Sequence, residues 1–174
     1  AEALHHSGIA LYQSGNGAQA LERIRKAVTI DPGMADAWSN LGLVLQEHGH
    51  HPAAVDAFDR AVRISPRSVE FLGNLAGALI ACGRHAEAEA SARALTDRNA
   101  DHAKGWFILA LALQPQGRML EALEAVSRAA RLAPDQAAYA GLKAQIERGI
   151  GAPDKARRTL EAAIARHPMS APLR

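Results

Sequence analysis

Residues 35–68 read ADAWSNLGLVLQEHGHHPAAVDAFDRAVRISPRS, and this stretch decides the fold. Ala37, Trp38, Leu41, Val44 and Leu45 recur at the spacing of one helical face. Ala54, Ala57, Phe58, Ala61, Val62 and Ile64 do the same after a break. The break is Gly49-His50-His51-Pro52. Glycine suits the left-handed position that ends a helix, and proline suits the first turn of the next. The stretch closes at Ile64-Ser65-Pro66, where a proline cannot continue the helix and restricts the residue before it. Residues 35–68 are therefore predicted to form two helices joined by a tight turn.

Working outward, the same frame recurs along the chain. Glycines fall at Gly15, Gly49, Gly83, Gly117 and Gly151, and alanines at Ala20, Ala54, Ala88, Ala122 and Ala156, each 34 residues apart. Prolines follow at Pro32, Pro66, Pro134 and Pro168, with Ala100 in the gap. The frame predicts one array over residues 1–170, with hairpins at 1–34, 35–68, 69–102, 103–136 and 137–170. Met169-Ser170-Ala171-Pro172-Leu173 reads as the start of a further helix, with 171–174 leading into it or forming a tail. Small residues at Gly8, Gly42, Ala76 and Ala110 let the two helices of a hairpin approach. Large ones such as Trp38, Phe58 and Trp106 fill the space between hairpins. A lone hairpin cannot bury its apolar side, so neighbours stack. The fifth unit departs from the frame: Tyr139, Leu142, Ile146 and Ile150 form a stripe one residue early. A shortened loop before this helix, offset by one extra residue in the turn after it, would explain that.

The pattern resembles the tetratricopeptide repeat, whose 34-residue signature is W-x2-L-G-x2-Y, then A-x3-F, then P. The second unit supplies Trp38, Leu41, Gly42, Ala54, Phe58 and Pro66, with Leu45 in place of Tyr. The fourth supplies Trp106, Leu109, Ala110, Leu113, Ala122, Val126, Ala129 and Pro134. The first matches at Leu4, Gly8, Leu11, Ala20, Ile24, Ala27 and Pro32; the third matches at Leu72, Leu75, Ala76, Leu79 and Ala88, with Ala92 for Phe. The resemblance covers nearly the whole chain. It implies an all-α fold, a right-handed superhelical solenoid of antiparallel helix hairpins.

Composition narrows the function. Hydrophobic residues make up 48% and aromatics only 4%, so the core must be built from Ala, Leu, Ile and Val. With 20 basic and 18 acidic residues the net charge is +2, and no basic stripe of the kind that nucleic-acid binders show is present. Nucleic acid is therefore not an expected partner. No apolar run reaches the ~18–20 residues of a membrane helix, so membrane insertion is not expected either. The single cysteine, Cys82, excludes an internal disulfide and fits a reducing, cytoplasmic compartment. The chain opens at Ala1 inside a helical pattern and reads as a piece of a longer protein, bacterial in its alanine- and arginine-rich style. No G-x-S-x-G, phosphate loop or His-Glu metal motif occurs, so neither catalysis nor a cofactor is expected.

In this family the first helices of successive repeats line a concave groove, and the resemblance implies the same here. The candidate ligand contacts are Asn40, Leu43, Asn74, Gly77, Ile80, Lys104, Phe107, Ile108 and Leu111. Asn40 and Asn74 hold one position in adjacent repeats, similar to the asparagine ladders of O-linked N-acetylglucosamine transferases. An amide donates and accepts at once, so such a row can clamp a peptide backbone; it can equally bond within the array or to water. Ile80, Phe107, Ile108 and Leu111, bordered by Gly73 and Gly77, read either as an apolar anchor pocket or as packing between helices. A tetratricopeptide clamp for a terminal carboxylate is excluded. Asn74 and Lys104 match it, but Ser39, Leu43 and Ile108 do not, and a carboxylate needs converging donors.

Other signals read as structural. His48, His50, His51 and His85 gather at turns without a Cys or carboxylate set of ligand spacing, so no metal is expected. Glu22–Lys26, Asp56–Arg60 and Glu124–Arg128 have the spacing of surface helix pairs. Cys82 reads as a buried, inert thiol. The leading expectation is a protein-interaction scaffold that binds a peptide or helix of a partner. Two alternatives stand beside it: a recruitment segment of a larger bacterial enzyme of glycosyltransferase, sulfotransferase or oxygenase type, and a scaffold that forms homo-oligomers through its array ends.

Overall fold

A computed structural model describes residues 1–166. The last proline of the series, Pro168, and the expected helix start at Met169 lie outside the described residues. Ten α-helices follow one another: α1 Glu2–Gln13, α2 Gly17–Ile30, α3 Ala35–Glu47, α4 His51–Ile64, α5 Val69–Ala81, α6 His85–Arg98, α7 Ala103–Leu113, α8 Met119–Leu132, α9 Ala137–Gly149 and α10 Pro153–Arg166. No strand occurs among the described residues. The chain forms two compact units, Ala1–Arg84 and His85–Arg174.

The turns explain the period. Gly15, Gly49, Gly83, Gly117 and Gly151 have φ between +71° and +81°, where a side chain is strained. Each turn closes the preceding helix in the same way. In the second hairpin Gly49 N–H donates to the Gln46 carbonyl at 3.0 Å, and His50 N–H donates to the Leu45 carbonyl at 2.9 Å. This pair of hydrogen bonds satisfies carbonyls that the end of a helix would otherwise leave unpaired. Between hairpins a second turn recurs: Met34 N–H donates to Asp31, Ser68 to Ser65, His102 to Asn99 and Gln136 to Ala133, at 3.1 to 3.4 Å.

In the first unit α1 packs on α2 and α3 on α4. The close approach uses glycine where the repeat pattern requires it. A Cβ at Gly42 would lie 2.6 Å from the Phe58 ring, and one at Gly8 would lie 2.5 Å from Ile24 Cγ1. Phe58 and Ile24 are fully buried. Trp38 ties its hairpin to the preceding loop, its Nε1–H donating to the Pro32 carbonyl at 2.9 Å.

In the second unit α6 packs on α7, α7 on α8, α8 on α9 and α9 on α10. Leu95, Leu113, Val126 and Ile146 are its fully buried large side chains. Pro115 follows α7, and the chain tightens there into a 3-10 turn at Gln114–Gln116. Trp106 repeats the role of Trp38, donating to the Ala100 carbonyl at 2.8 Å.

The fifth hairpin corrects one expectation. Helix α9 begins at Ala137, 34 residues after α7 begins at Ala103, and α10 begins at Pro153, 34 after Met119. No loop is shortened and no turn is lengthened. Only the side chains change: Tyr139 stands where Ala37 and Phe71 stand in their hairpins, and Ala140 takes the tryptophan position. Tyr139, Leu142 and Ile146 are buried, while Ile150 caps α9 and is 37% exposed.

One of the three expected surface pairs forms. Glu22 and Lys26 meet at 2.6 Å. On α4 the pair is instead Arg63 with Asp59 at 2.7 Å. Arg128 does not reach for Glu124; its guanidinium lies over the Trp106 ring, 4.3 Å from the centroid. A guanidinium over an indole face is held by the ring quadrupole, which competes well with an exposed carboxylate.

Candidate functional site

The candidate contacts divide between the two units. In the first, α3 lies beside α1 and α5 beside α3. Asn40 Nδ2 is 2.9 Å from His5 Nε2, and Asn74 Nδ2 donates to Ser39 Oγ at 3.3 Å. His5 and Ser39 hold one repeat position, so each asparagine reaches back to the same place on the preceding first helix. The asparagine row is thus bonded within the array. One bond leaves each amide with a further donor and its oxygen. Both side chains are half-buried, as are Leu43 and Ile80. A Cβ at Gly77 would meet nothing within 4 Å, so that face of α5 is open.

In the second unit Lys104 is exposed, while Phe107 and Leu111 are half-exposed one turn apart on α7. The Phe107 ring rests on Tyr139, with centroids 4.7 Å apart and planes inclined at 35°. Ile108 is 4% exposed, so it is a core residue and cannot serve as an open contact. It stands where Asn40 and Asn74 stand, and an aliphatic chain there gains by burial what the amides gain by hydrogen bonding.

Two histidines, His5 buried and His102 half-buried, act as acceptors. His5 faces Asn40, and His102 Nδ1 accepts the Gly105 N–H at 3.0 Å, capping α7. Burial lowers the pKa of both, aided by His6 for His5 and by Lys104 for His102, while Asp36 opposes the shift at His5. The folded chain therefore binds fewer protons than the unfolded one. Their contribution to stability is complete above the ordinary histidine pKa of ~6.5 and is lost as pH falls through the lower folded values. His102→Asn keeps a side-chain cap without a titrating ring. The variant is expected to lose less stability than wild type between roughly pH 6.5 and 5, by urea unfolding. Parallel pH profiles would disprove the assignment.

A polar cluster on α6 and α8 is self-neutralised. Arg118 donates to Glu89 at 2.6 Å and to Glu121 at 2.5 Å, and Arg93 donates to Glu89 at 2.9 Å. Burial resists ionisation of Glu89, but the hydrogen bonds from Arg93, Arg118 and Gln116 outweigh it and hold the carboxyl below its usual range. Among the described residues no group of three His, Cys, Asp or Glu is placed to hold a metal, and no helix is long and apolar enough to cross a membrane. His48 Nδ1 lies 2.8 Å from the Val44 carbonyl on its own helix. Cys82 caps α5 and is half-buried rather than fully enclosed.

Three family models, each described as tetratricopeptide repeat, match residues 7–69, 45–112 and 103–136. No curated protein matches the sequence. Among solved structures, MamA residues 41-end from Desulfovibrio magneticus RS-1 is similar with a TM-score of 0.90 at 15% identity, over 98% of this chain and 97% of that one. YrrB, described as a repeat protein with an unusual peptide-binding site, is similar with a TM-score of 0.80 at 20% identity, over 96% of this chain and 86% of that one. PilF of Pseudomonas aeruginosa is similar with a TM-score of 0.80 at 24% identity, over 94% and 75%. These likenesses show the fold, an all-α solenoid of helix hairpins.

Proposed function

We propose, on the premise that this chain belongs to the tetratricopeptide-repeat family, that it is an interaction scaffold whose first helices bind a peptide or helix of a partner protein. The observation that carries the reading is the pair Phe107 and Leu111, apolar and half-exposed one turn apart on α7. Such i, i+4 pairs suit the apolar side chains of an incoming segment. In the first unit, taken by itself, Ile80 and the open face at Gly77 leave room on α5. Asn40 and Asn74 retain hydrogen-bonding capacity for a peptide backbone, Leu43 adds apolar surface beside them, and Lys104 supplies a charge. YrrB, a similar fold with an unusual peptide-binding site, supports binding over catalysis. The lone thiol suits a reducing, cytoplasmic compartment.

The test is to pan a random peptide library over the protein and titrate the selected peptides. Replacing Phe107 and Leu111 together by Asp should weaken them roughly thirtyfold or more, the size of a contact hot spot. Helicity by circular dichroism should stay unchanged. Peptides that bind the variant as well as wild type would remove α7 from the site.

A further inference from the structure

We infer that the fifth hairpin holds a site for a phosphoryl oxyanion, built where the repeat's largest side chain is missing. The tryptophan position reads Leu4, Trp38, Leu72, Trp106 and then Ala140. Where the indole is present, its N–H donates to the carbonyl six residues earlier, Pro32 or Ala100. In the fifth hairpin that carbonyl belongs to Pro134, and no ring reaches it. A second filler is lost as well. Leu41, Leu75 and Leu109 are buried, and their counterpart is Lys143. The result is a cavity of about 330 Å³ lined by Pro134, Ala140 and Lys143.

The rest of the lining gives the cavity its chemistry. Arg131 comes from α8, and Arg158 and Arg166 from α10, so three helices bring four cations to one space. Among the described residues no carboxylate lines it. Two acids stand near the lining: Asp135, between Pro134 and Gln136, and Glu147, 4% exposed, with Oε1 3.8 Å from Lys143 Nζ and Oε2 accepting the Thr159 hydroxyl. The chain as a whole carries only +2, so this is a local concentration of charge, not a reflection of the composition. Cations gathered around one cavity repel one another, and an anion between them relieves that. Guanidinium forks match phosphate oxygens in two-point contacts. The volume lies at the low end for small-molecule pockets, which limits the ligand to one or two phosphoryl groups on a small body.

The test titrates the whole chain by calorimetry with inorganic phosphate and with pyrophosphate at fixed ionic strength. Ala140→Trp refills the cavity with the residue that two other hairpins carry, and its N–H has the Pro134 carbonyl to meet. Arg131→Gln with Arg158→Gln removes charge from exposed positions and leaves the core alone. Saturable binding to wild type is expected, falling about tenfold or more in both variants, with unfolding temperatures unchanged or raised. Preference for pyrophosphate marks a two-phosphoryl ligand, and equal affinity a single group. Absence of saturation, or equal binding by all three proteins, overturns the proposal. Binding that survives Ala140→Trp places the anion outside the cavity. Binding that survives loss of the arginines removes the charge argument. Either result also sinks it.

Discussion

Phe58→Ala lowers stability by about 3–5 kcal/mol, the upper range for a large core side chain. The ring is fully buried, and the residue across from it on α3 is Gly42, whose Cβ position lies 2.6 Å from it. A glycine has no side chain to swing into the space, so the cavity stays open and the penalty falls near the high end. Thermal midpoints shift by ~2–4 °C per kcal/mol in a chain of this length, so the loss is easily read. Repeat arrays can also lose cooperativity, so hydrogen exchange should show α3 and α4 losing protection before the other helices. The converse change, Gly42→Ala, forces a methyl into the ring and is destabilising through overpacking. Pairing it with Phe58→Leu should recover part of both losses, since the two sites share one volume. A loss under about 1 kcal/mol for Phe58→Ala would mean that α3 and α4 close the gap, contrary to the packing argument.

Gly42 and Gly8 as places of close approach were legible in the sequence because small residues recur at fixed places in one period, whereas Phe58, expected between hairpins, packs against Gly42 of its own hairpin. The five left-handed glycines were legible for the same reason. A period reports backbone constraints, and those are local. What escaped depends on side chains meeting across hairpins. The asparagine row could be seen, but its bonds to His5 and Ser39 depend on contacts 35 residues away. Ile108 shares a position with two half-buried asparagines and is itself buried, so position alone did not set exposure. In the fifth hairpin the apolar stripe from Tyr139 comes one residue early. An early apolar stripe looks the same whether the chain slips or the side chains are exchanged. The constant helix starts decide for exchange. His102 as a helix cap was missed, although its place just before α7 is where a capping side chain belongs.

The exchange in the fifth hairpin has an energetic consequence. Lys143 and Glu147 occupy the positions of Leu41 and Leu45, two leucines that are buried in the second hairpin. Glu147 is 4% exposed and holds one hydrogen bond, from Thr159 at 2.8 Å. Its ion pair is long, 3.8 Å, and the Lys143 side chain is 30% exposed, so water screens the attraction. The desolvation of the carboxylate is therefore poorly offset. Lys143→Leu alone should destabilise, because it leaves Glu147 buried with Thr159 as its remaining partner. Glu147→Leu alone should stabilise, because the lysine can still reach water. The double variant to Leu restores the repeat pattern and should gain about 1–4 kcal/mol over wild type by urea unfolding. A double variant less stable than wild type would show that the pair is a net stabilising contact, and would reverse this account. Glu147→Leu also keeps Lys143 beside the cationic cavity and removes the adjacent acid. That variant should bind pyrophosphate at least as tightly as wild type while unfolding at a higher urea concentration. Stability and anion binding then rise together in Glu147→Leu and part in the double variant, which gains stability while it loses a cation from the site.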